Sequence, residues 1–217
     1  MNRPRSLLLR LASTLATFAF IVLTTSQNEA LAQQMEDMPY DLHFIDMMIM
    51  HHQEGVEMAQ LAQTQAVSEK VKAFATKTAV DQQKDIDELQ AHRNHWYAGK
   101  PLMDPAMMES MMKSMHPGMN MDMEETRRKL RATEGATFDQ LFLDTMIHHH
   151  MMATGMAKDA TTKAEHAELK EFARKAVAKQ QAEISEMKKL KAGGTSKGRT
   201  KAKPKPKTTT TTHKHMH

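Results

Sequence analysis

A segment rich in histidine and methionine occurs twice, and this repeat constrains the fold more than any other feature. Residues 46–59 read DMMIMHHQEGVEMA and residues 144–157 read DTMIHHHMMATGMA, with no gap in their alignment. An internal repeat indicates the architecture, because one unit cannot bury its apolar face alone and must pack against another. The repeat therefore predicts two equivalent units, in which His51 corresponds to His149 and every other pair has the same separation.

The repeated segment has the periodicity of an α-helix. At 100° per residue, Met48, His51 and Met58 lie on one stripe, and His52 lies on the stripe beside it. Both stripes are otherwise apolar, and a buried imidazole needs a hydrogen-bond partner or a metal ion. The second copy has the same pattern, so we expect each copy to place imidazole and thioether groups in a buried layer.

The whole chain favours an all-α fold. Aromatic residues make up only 5% of it, Gly and Pro are sparse, and the apolar period is that of a helix. We predict helices at about 39–65, 68–96, 137–159 and 163–190. They form two helical hairpins whose apolar faces cannot be buried separately, so the predicted fold is a four-helix bundle built from two repeated hairpins joined by a Met-rich connector.

The first 32 residues have the pattern of a secretory signal peptide. A basic opening precedes a mostly apolar stretch at residues 7–23, and Ala30-Leu31-Ala32 offers a cleavage site. We therefore expect an exported protein, periplasmic or secreted, without membrane association after cleavage. The predicted domains are a signal peptide at 1–32, a bundle at 33–192 and a disordered tail at 193–217. The chain has no cysteine, so no disulfide can stabilise it.

The basic net charge comes from the end of the chain. Residues 33–190 carry 19 Lys and Arg against 25 Asp and Glu, whereas the last 27 residues carry eight positive charges and no negative one. A basic patch on the folded domain would favour nucleic-acid binding, and this distribution does not indicate one. The tail ends in His213, His215 and His217, which could wrap a metal ion or belong to a solubilising segment.

The connector between the hairpins has the most unusual composition. With repeat one at about 39–97 and repeat two at about 137–191, the connector spans about 99–133, and residues 103–123 contain nine methionines. Asp104-Pro105 predicts the start of a short helix that ends at His116-Pro117-Gly118. Its methionines are mixed with Asp, Glu, Ser and Lys and form no single apolar face, which favours a role as ligands over core packing.

Three interpretations of the His and Met residues compete. Methionine can be a flexible filler of the core. Thioether and imidazole groups together can instead hold copper, because thioethers select soft Cu(I) and imidazole suits both oxidation states. A di-iron carboxylate bundle would need Glu-x-x-His motifs, and the chain contains none. We favour copper, with silver as a surrogate. The candidate ligands are Met47, Met48, His51, His52, Met58, Met107, Met108, Met111, Met112, Met115, His116, Met119, Met146, His148, His149, His150, Met152 and Met156.

Two other histidines have simpler expectations. His43 is either a ligand near the first site or a solvated residue of the first helical turn. We expect His166 to be exposed.

The repeated motifs resemble those of the domain of unknown function 305 family. The first is His51-His52-x-x-Gly55-Val56-x-Met58-Ala59, similar to the family's His-His-x-x-Ala-Ile-x-Met-Ala, and it recurs from His149. A companion pattern, Gln-x-Glu-Ile-x-x-Met, is matched from Gln181 and more loosely from Gln83. The resemblance implies a ferritin-like four-helix bundle. It also implies kinship with Met- and His-rich exported members that bind copper and are linked to copper resistance or trafficking.

The sequence therefore predicts an exported copper-binding protein that sequesters or transfers Cu(I) and Cu(II), in copper resistance or homeostasis. Its partners would be the metal ion and another copper-trafficking protein, and we expect no catalysis. A ferritin-like metal oxidase and a structural or partner-binding helical bundle are the alternatives.

Overall fold

The computed structural model describes residues 38–104, 107 and 123–197. This part of the chain contains α-helices and no strand, which confirms the predicted all-α class. None of its helices combines the length and apolarity needed to cross a lipid bilayer. The helices are α1 (Tyr40–Gln65), α2 (Glu69–Trp96), α3 (Met123–Ala132), α4 (Gly135–Lys163) and α5 (Ala167–Lys197).

The two hairpins pack as a four-helix bundle. Helix α1 pairs along its length with α2, and α4 pairs with α5. The two hairpins meet where α1 packs against α4, and the short helix α3 lies against both α1 and α4. The repeated His/Met segments lie in α1 and α4, so the contact between the hairpins brings the two copies together.

Most predicted helix boundaries agree with the structure; two differ, and one helix was not predicted. Lys163 ends α4 instead of starting the last helix. Helix α5 continues to Lys197, into the segment predicted as a tail from residue 193, although Gly193 and Gly194 disfavour helix; the basic residues near its end are favourable at a helix C-terminus. Helix α3 was not predicted. Acidic residues begin it and basic residues end it, which suits the helix dipole.

Six buried polar side chains form a layer that divides the apolar core in two. Along each of the four long helices, apolar core residues lie on both sides of this layer. The first apolar cluster contains Phe44 and Phe172, and the second contains Phe74 and Phe142. Each side chain of the layer is at most 1% exposed. The central polar layer consists of His51, His52, Gln82, His149, His150 and Gln180.

A buried carboxylate of the first hairpin anchors the turn of the second. Asp41, at the start of α1, is fully buried and accepts hydrogen bonds from the backbone N–H groups of Glu165 and His166, each at 2.9 Å. The same carboxylate lies 2.7 Å from Nδ1 of His166, whose ring stacks on Trp96 with centroids 3.8 Å apart. His166 is therefore half-buried and bonded, whereas we expected it to be exposed.

The second hairpin anchors the turn of the first hairpin in the same way. Asp139 corresponds to Asp41 in the repeat, and it accepts hydrogen bonds from the N–H groups of Val67 at 3.0 Å and Ser68 at 2.9 Å. Ser68 is the N-cap residue of α2, but its own side chain makes no capping hydrogen bond. Asp139 provides the oxygen acceptors for the turn from the other hairpin. Each hairpin thus holds the turn of its partner.

Replacing Asp139 by Ala should lower the free energy of unfolding of the metal-free protein by about 1–3 kcal/mol, because two backbone N–H groups lose their acceptor. Urea denaturation followed by circular dichroism measures the change. The matched control is Asp159→Ala, which removes an exposed carboxylate paired with Lys163 and should cost less than about 1 kcal/mol. Equal costs for the two variants would show that the reciprocal anchoring does not stabilise the bundle.

Candidate metal centre

The histidine pairs of the two repeats meet in the central polar layer. The rings of His51 and His149 stack with centroids 3.6 Å apart and planes inclined by 26°. The ring of His52 is 6.0 Å from that of His51, and the ring of His150 is 6.0 Å from that of His149. The four imidazoles therefore form one contiguous group that both hairpins build.

A carboxylate fixes one nitrogen of each outer imidazole. Nε2 of His52 lies 3.3 Å from Oδ2 of Asp85, and Nε2 of His150 lies 3.0 Å from Oε2 of Glu183. A carboxylate accepts hydrogen bonds, so in both pairs the proton lies on Nε2. Nδ1 of each ring is buried and has no hydrogen-bond partner among the described residues. Each pair therefore keeps the same ring nitrogen available for a ligand.

Lysines from the opposite hairpin neutralise these carboxylates. Lys179 bonds to Asp85, and Nζ of Lys77 lies 3.3 Å from Oε1 of Glu183. Burial alone would raise the pKa of both carboxyl groups. The hydrogen bonds from histidine and lysine outweigh it, so each pKa lies below its usual value. The two carboxylates therefore stay ionised and hydrogen-bonded, and they hold the imidazoles of His52 and His150 in a fixed orientation.

His149 shows the same division between its nitrogens. Its Nε2 lies 2.9 Å from the backbone carbonyl oxygen of His51, and a carbonyl only accepts, so Nε2 carries the proton. Its Nδ1 is buried without a hydrogen-bond partner in the described part of the chain. Burial, and then the neighbouring histidines, hold the pKa of His149 well below its usual value. Burial also lowers the pKa of His52. These rings are neutral near pH 7, which is the form that binds metals.

Two buried amides complete the layer. Gln82 and Gln180 are repeat-related, and neither amide has a hydrogen-bond partner among the described residues. Gly55 allows this packing, because a Cβ atom there would lie 2.1 Å from Oε1 of Gln82 and 2.8 Å from Cε1 of His149. Buried polar groups without partners cost free energy, and such groups in a native protein often mark a functional site.

The candidate methionines of α1 and α4 lie in the apolar clusters beside the layer. Met48 and Met146 are fully buried and lie within one helical turn of the histidines. The first cluster contains Met47, Met48, Met107 and Met156, and the second contains Met58 and Met146. Met152 is 7% exposed and His148 is half-buried at the edge of the bundle.

The predicted connector is described only at residues 99–104, at residue 107 and at residues 123–133, where α3 lies. Met107 is 1% exposed and packs in the first apolar cluster with Met103. Its burial there fits a packing role as well as that of a ligand. The other candidate ligands of the connector lie outside the described residues. They are Met108, Met111, Met112, Met115, His116 and Met119.

The histidines and carboxylates do not form a ready-made metal cage. Within residues 38–104 and 123–197, no three His, Asp or Glu side chains converge in the way that a metal ion requires. A carboxylate-bridged di-metal centre therefore has no counterpart in this part of the chain. The arrangement instead offers separate imidazole nitrogens next to thioether sulfurs.

Comparison with known proteins places the chain in a family. The family model described as domain of unknown function, DUF305, matches residues 41–191. The chain belongs to the DUF305 family. Among curated proteins, none matches it significantly.

Several solved structures of DUF305 proteins and of CopM share this fold. CopM in its Cu(II)-bound form is 32% identical, with a TM-score of 0.57, over 72% of this chain and 99% of CopM. The Cu(I)-bound form is 29% identical, with a TM-score of 0.56, over 70% and 96%. CopM has also been solved with silver bound. A DUF305 protein from Streptomyces coelicolor, predicted to be secreted, is 27% identical, with a TM-score of 0.63, over 72% and 94%.

Sequence reasoning missed the four residues that orient and surround the imidazoles. Asp85 and Glu183 match at the repeat offset, and so do Gln82 and Gln180. A polar residue recurring at a core position of both second helices was the available signal. The sequence alone did not assign these polar residues a role, because it does not show which groups contact the histidines.

The pKa shift of His149 predicts that acid destabilises the metal-free protein. Below an ordinary histidine pKa of about 6.5, the unfolded chain binds a proton at this residue and the folded chain does not, so stability falls as the pH falls. Each such histidine contributes up to about 1.4 kcal/mol per pH unit. His149→Gln should therefore reduce the loss of stability between pH 7.5 and 5.5, measured by urea denaturation. His95→Gln, at an exposed position, is the control. A slope unchanged from wild type in His149→Gln would contradict the prediction.

Proposed function

We propose that this protein is an exported copper-binding protein that sequesters Cu(I) and Cu(II) or transfers them to another copper-trafficking protein. The observation that carries the proposal is the central polar layer. Three buried Nδ1 atoms, on His52, His149 and His150, have no hydrogen-bond partner among the described residues. Metal ions bound at these separate nitrogens would satisfy them.

The chemistry of the donors favours copper. Imidazole binds both Cu(I) and Cu(II), and thioethers select Cu(I) over harder ions. Met48 and Met146 are fully buried within a helical turn of the histidines, and their sulfur atoms are candidate donors beside the layer. CopM has been solved with copper and with silver bound, which supports the same class of ion for this protein.

The orientation of the rings identifies the donor atoms in this proposal. Asp85 and Glu183 hold Nε2 of His52 and His150, and the His51 carbonyl holds Nε2 of His149. Metal-binding histidines commonly donate their second N–H to a carboxylate or a carbonyl group, which fixes the tautomer and raises ligand basicity. We therefore assign Nδ1 as the copper-binding atom of all three rings.

Binding without catalysis fits the site better than oxidase chemistry. An oxidase of the ferritin type uses carboxylates as ligands, and the two carboxylates at this layer are paired with lysines. A purely structural bundle would not favour burying two unpaired amides and three unpaired imidazole nitrogens. Sequestration or transfer is the function that uses these groups.

Export is supported by the sequence and by a relative. The signal-peptide pattern of residues 1–32 lies outside the described residues. The S. coelicolor protein with the same fold is predicted to be secreted. A thioether site without cysteine suits an oxidising compartment, because methionine does not form disulfides.

Replacing both His52 and His150 by Ala should abolish Cu(II) binding by the central layer and weaken Cu(I) binding there by about tenfold or more. Electron paramagnetic resonance measures the Cu(II) site, and anaerobic titration against a bicinchoninate competitor measures Cu(I). The control is His92→Ala with His95→Ala, which removes two histidines from the end of α2. Wild-type copper binding in the layer variant would contradict the proposed site.

A further inference from the structure

A small cavity lies between α1 and α4, away from the central polar layer. Its volume is about 10 Å³, which is room for a single water-sized sphere or ion. Three of its five lining side chains carry an imidazole or a thioether. The lining residues are Tyr40, His43, Phe44, Met47 and Met156.

His43 brings a buried nitrogen to this cavity. Its Nε2 is inaccessible to solvent and has no hydrogen-bond partner among the described residues. Burial lowers the pKa of His43, although the nearby Asp46 acts in the opposite direction. The ring is therefore neutral near pH 7 and can offer a lone pair. The sequence allowed His43 to be either a ligand or a solvated residue of the first helical turn. Its ring is half-buried, which does not fit the solvated alternative.

The other two donors are thioethers from the two hairpins. Met47 follows His43 by one helical turn on α1 and is 2% exposed. Met156 comes from α4 and is 4% exposed. Burial, followed by the charges of Asp159 and Asp41, raises the pKa of Tyr40 to about 12, so its phenol adds no charge. One imidazole and two thioethers form a soft, neutral donor set, which favours Cu(I) and Ag(I) over Cu(II).

The repeat shows that this arrangement occurs at one end of the bundle only. The positions equivalent to His43 and Met47 in the second copy are Leu141 and Thr145. The equivalent of Met156 is Met58, so that end retains one thioether of the three donors. The residues of the central polar layer recur in both repeats, whereas two of the three donors at the cavity occur in the first repeat alone. We therefore treat the layer and the cavity as separate sites.

We propose that His43, Met47 and Met156 form a second metal site, specific for Cu(I), at the end of the bundle where α1 begins. This inference rests on the proposed copper-binding function and adds a site that the paired histidines do not supply. It assigns Met47 and Met156 to the end site, while Met48 and Met146 remain next to the central layer. The protein then binds Cu(I) and Cu(II) in unequal numbers, with the extra ion being Cu(I).

Anaerobic Cu(I) titration of three variants tests the site. Met47→Leu and Met156→Leu conserve volume and apolar character, so the folded bundle should persist. Each should bind one Cu(I) fewer than wild type, or bind it about tenfold more weakly, with Cu(II) binding unchanged. Met187→Leu is the control, since Met187 is fully buried in the second apolar cluster. His43→Leu places at residue 43 the side chain found at position 141 and should match the first two variants.

Silver provides a direct readout that does not depend on variant stability. In wild-type protein labelled with ¹³C at the methionine methyl groups, Ag(I) should shift the resonances of Met47 and Met156 and leave that of Met187 in place. Unchanged Cu(I) numbers in all three cavity variants, or equal losses in Met187→Leu, would overturn the end site. In that case the proposed central site would still be supported if the double variant His52→Ala with His150→Ala binds less copper than the wild-type protein. A wild-type protein that binds no Cu(I) would overturn both proposals.

Discussion

The stacking of His51 on His149 at 3.6 Å is the contact on which the rest of the structure depends. It occurs where α1 crosses α4, so it joins the two hairpins and places both histidine pairs in one layer. The carboxylates at 41 and 139 hold the hairpin turns across the same interface. An interface with imidazoles at its centre has fewer apolar contacts there, and the proposed copper binding would account for polar groups at that position.

The helices and the His/Met stripes could be predicted from the sequence because they depend on periodicity within one helix. Met48, His51 and Met58 follow a 3.6-residue period that any helix of this sequence must have. The roles of Asp85 and Glu183 could not be predicted in this way. They lie more than 30 positions from the histidines that they orient, and only the packing of α2 on α1 and of α5 on α4 brings them there. The anchoring by Asp139 is less predictable still, since it crosses between hairpins.

The two halves of the molecule combine a symmetric centre with asymmetric ends. The imidazoles, the amides and the carboxylates that orient the rings all recur at the repeat offset. His43 and Met47 line the small cavity at one end of the bundle, and the residues at the equivalent positions of the second repeat are Leu141 and Thr145. Gly55 is another departure, because its counterpart is Ala153 and its missing Cβ gives space to Gln82 and His149. A duplicated scaffold thus provides a shared centre, and single substitutions in one copy provide a different donor set elsewhere.

The central claim is that carboxylate and carbonyl acceptors fix Nε2 and leave Nδ1 to bind the metal. Long-range ¹H–¹⁵N correlation spectra of ¹⁵N-labelled protein, recorded with and without Ag(I), identify which ring nitrogen carries the proton and which binds the ion. We expect Ag(I) to shift Nδ1 of His52, His149 and His150 while Nε2 keeps its proton. Coordination through Nε2, or bound silver that leaves all three rings unchanged, would contradict the account.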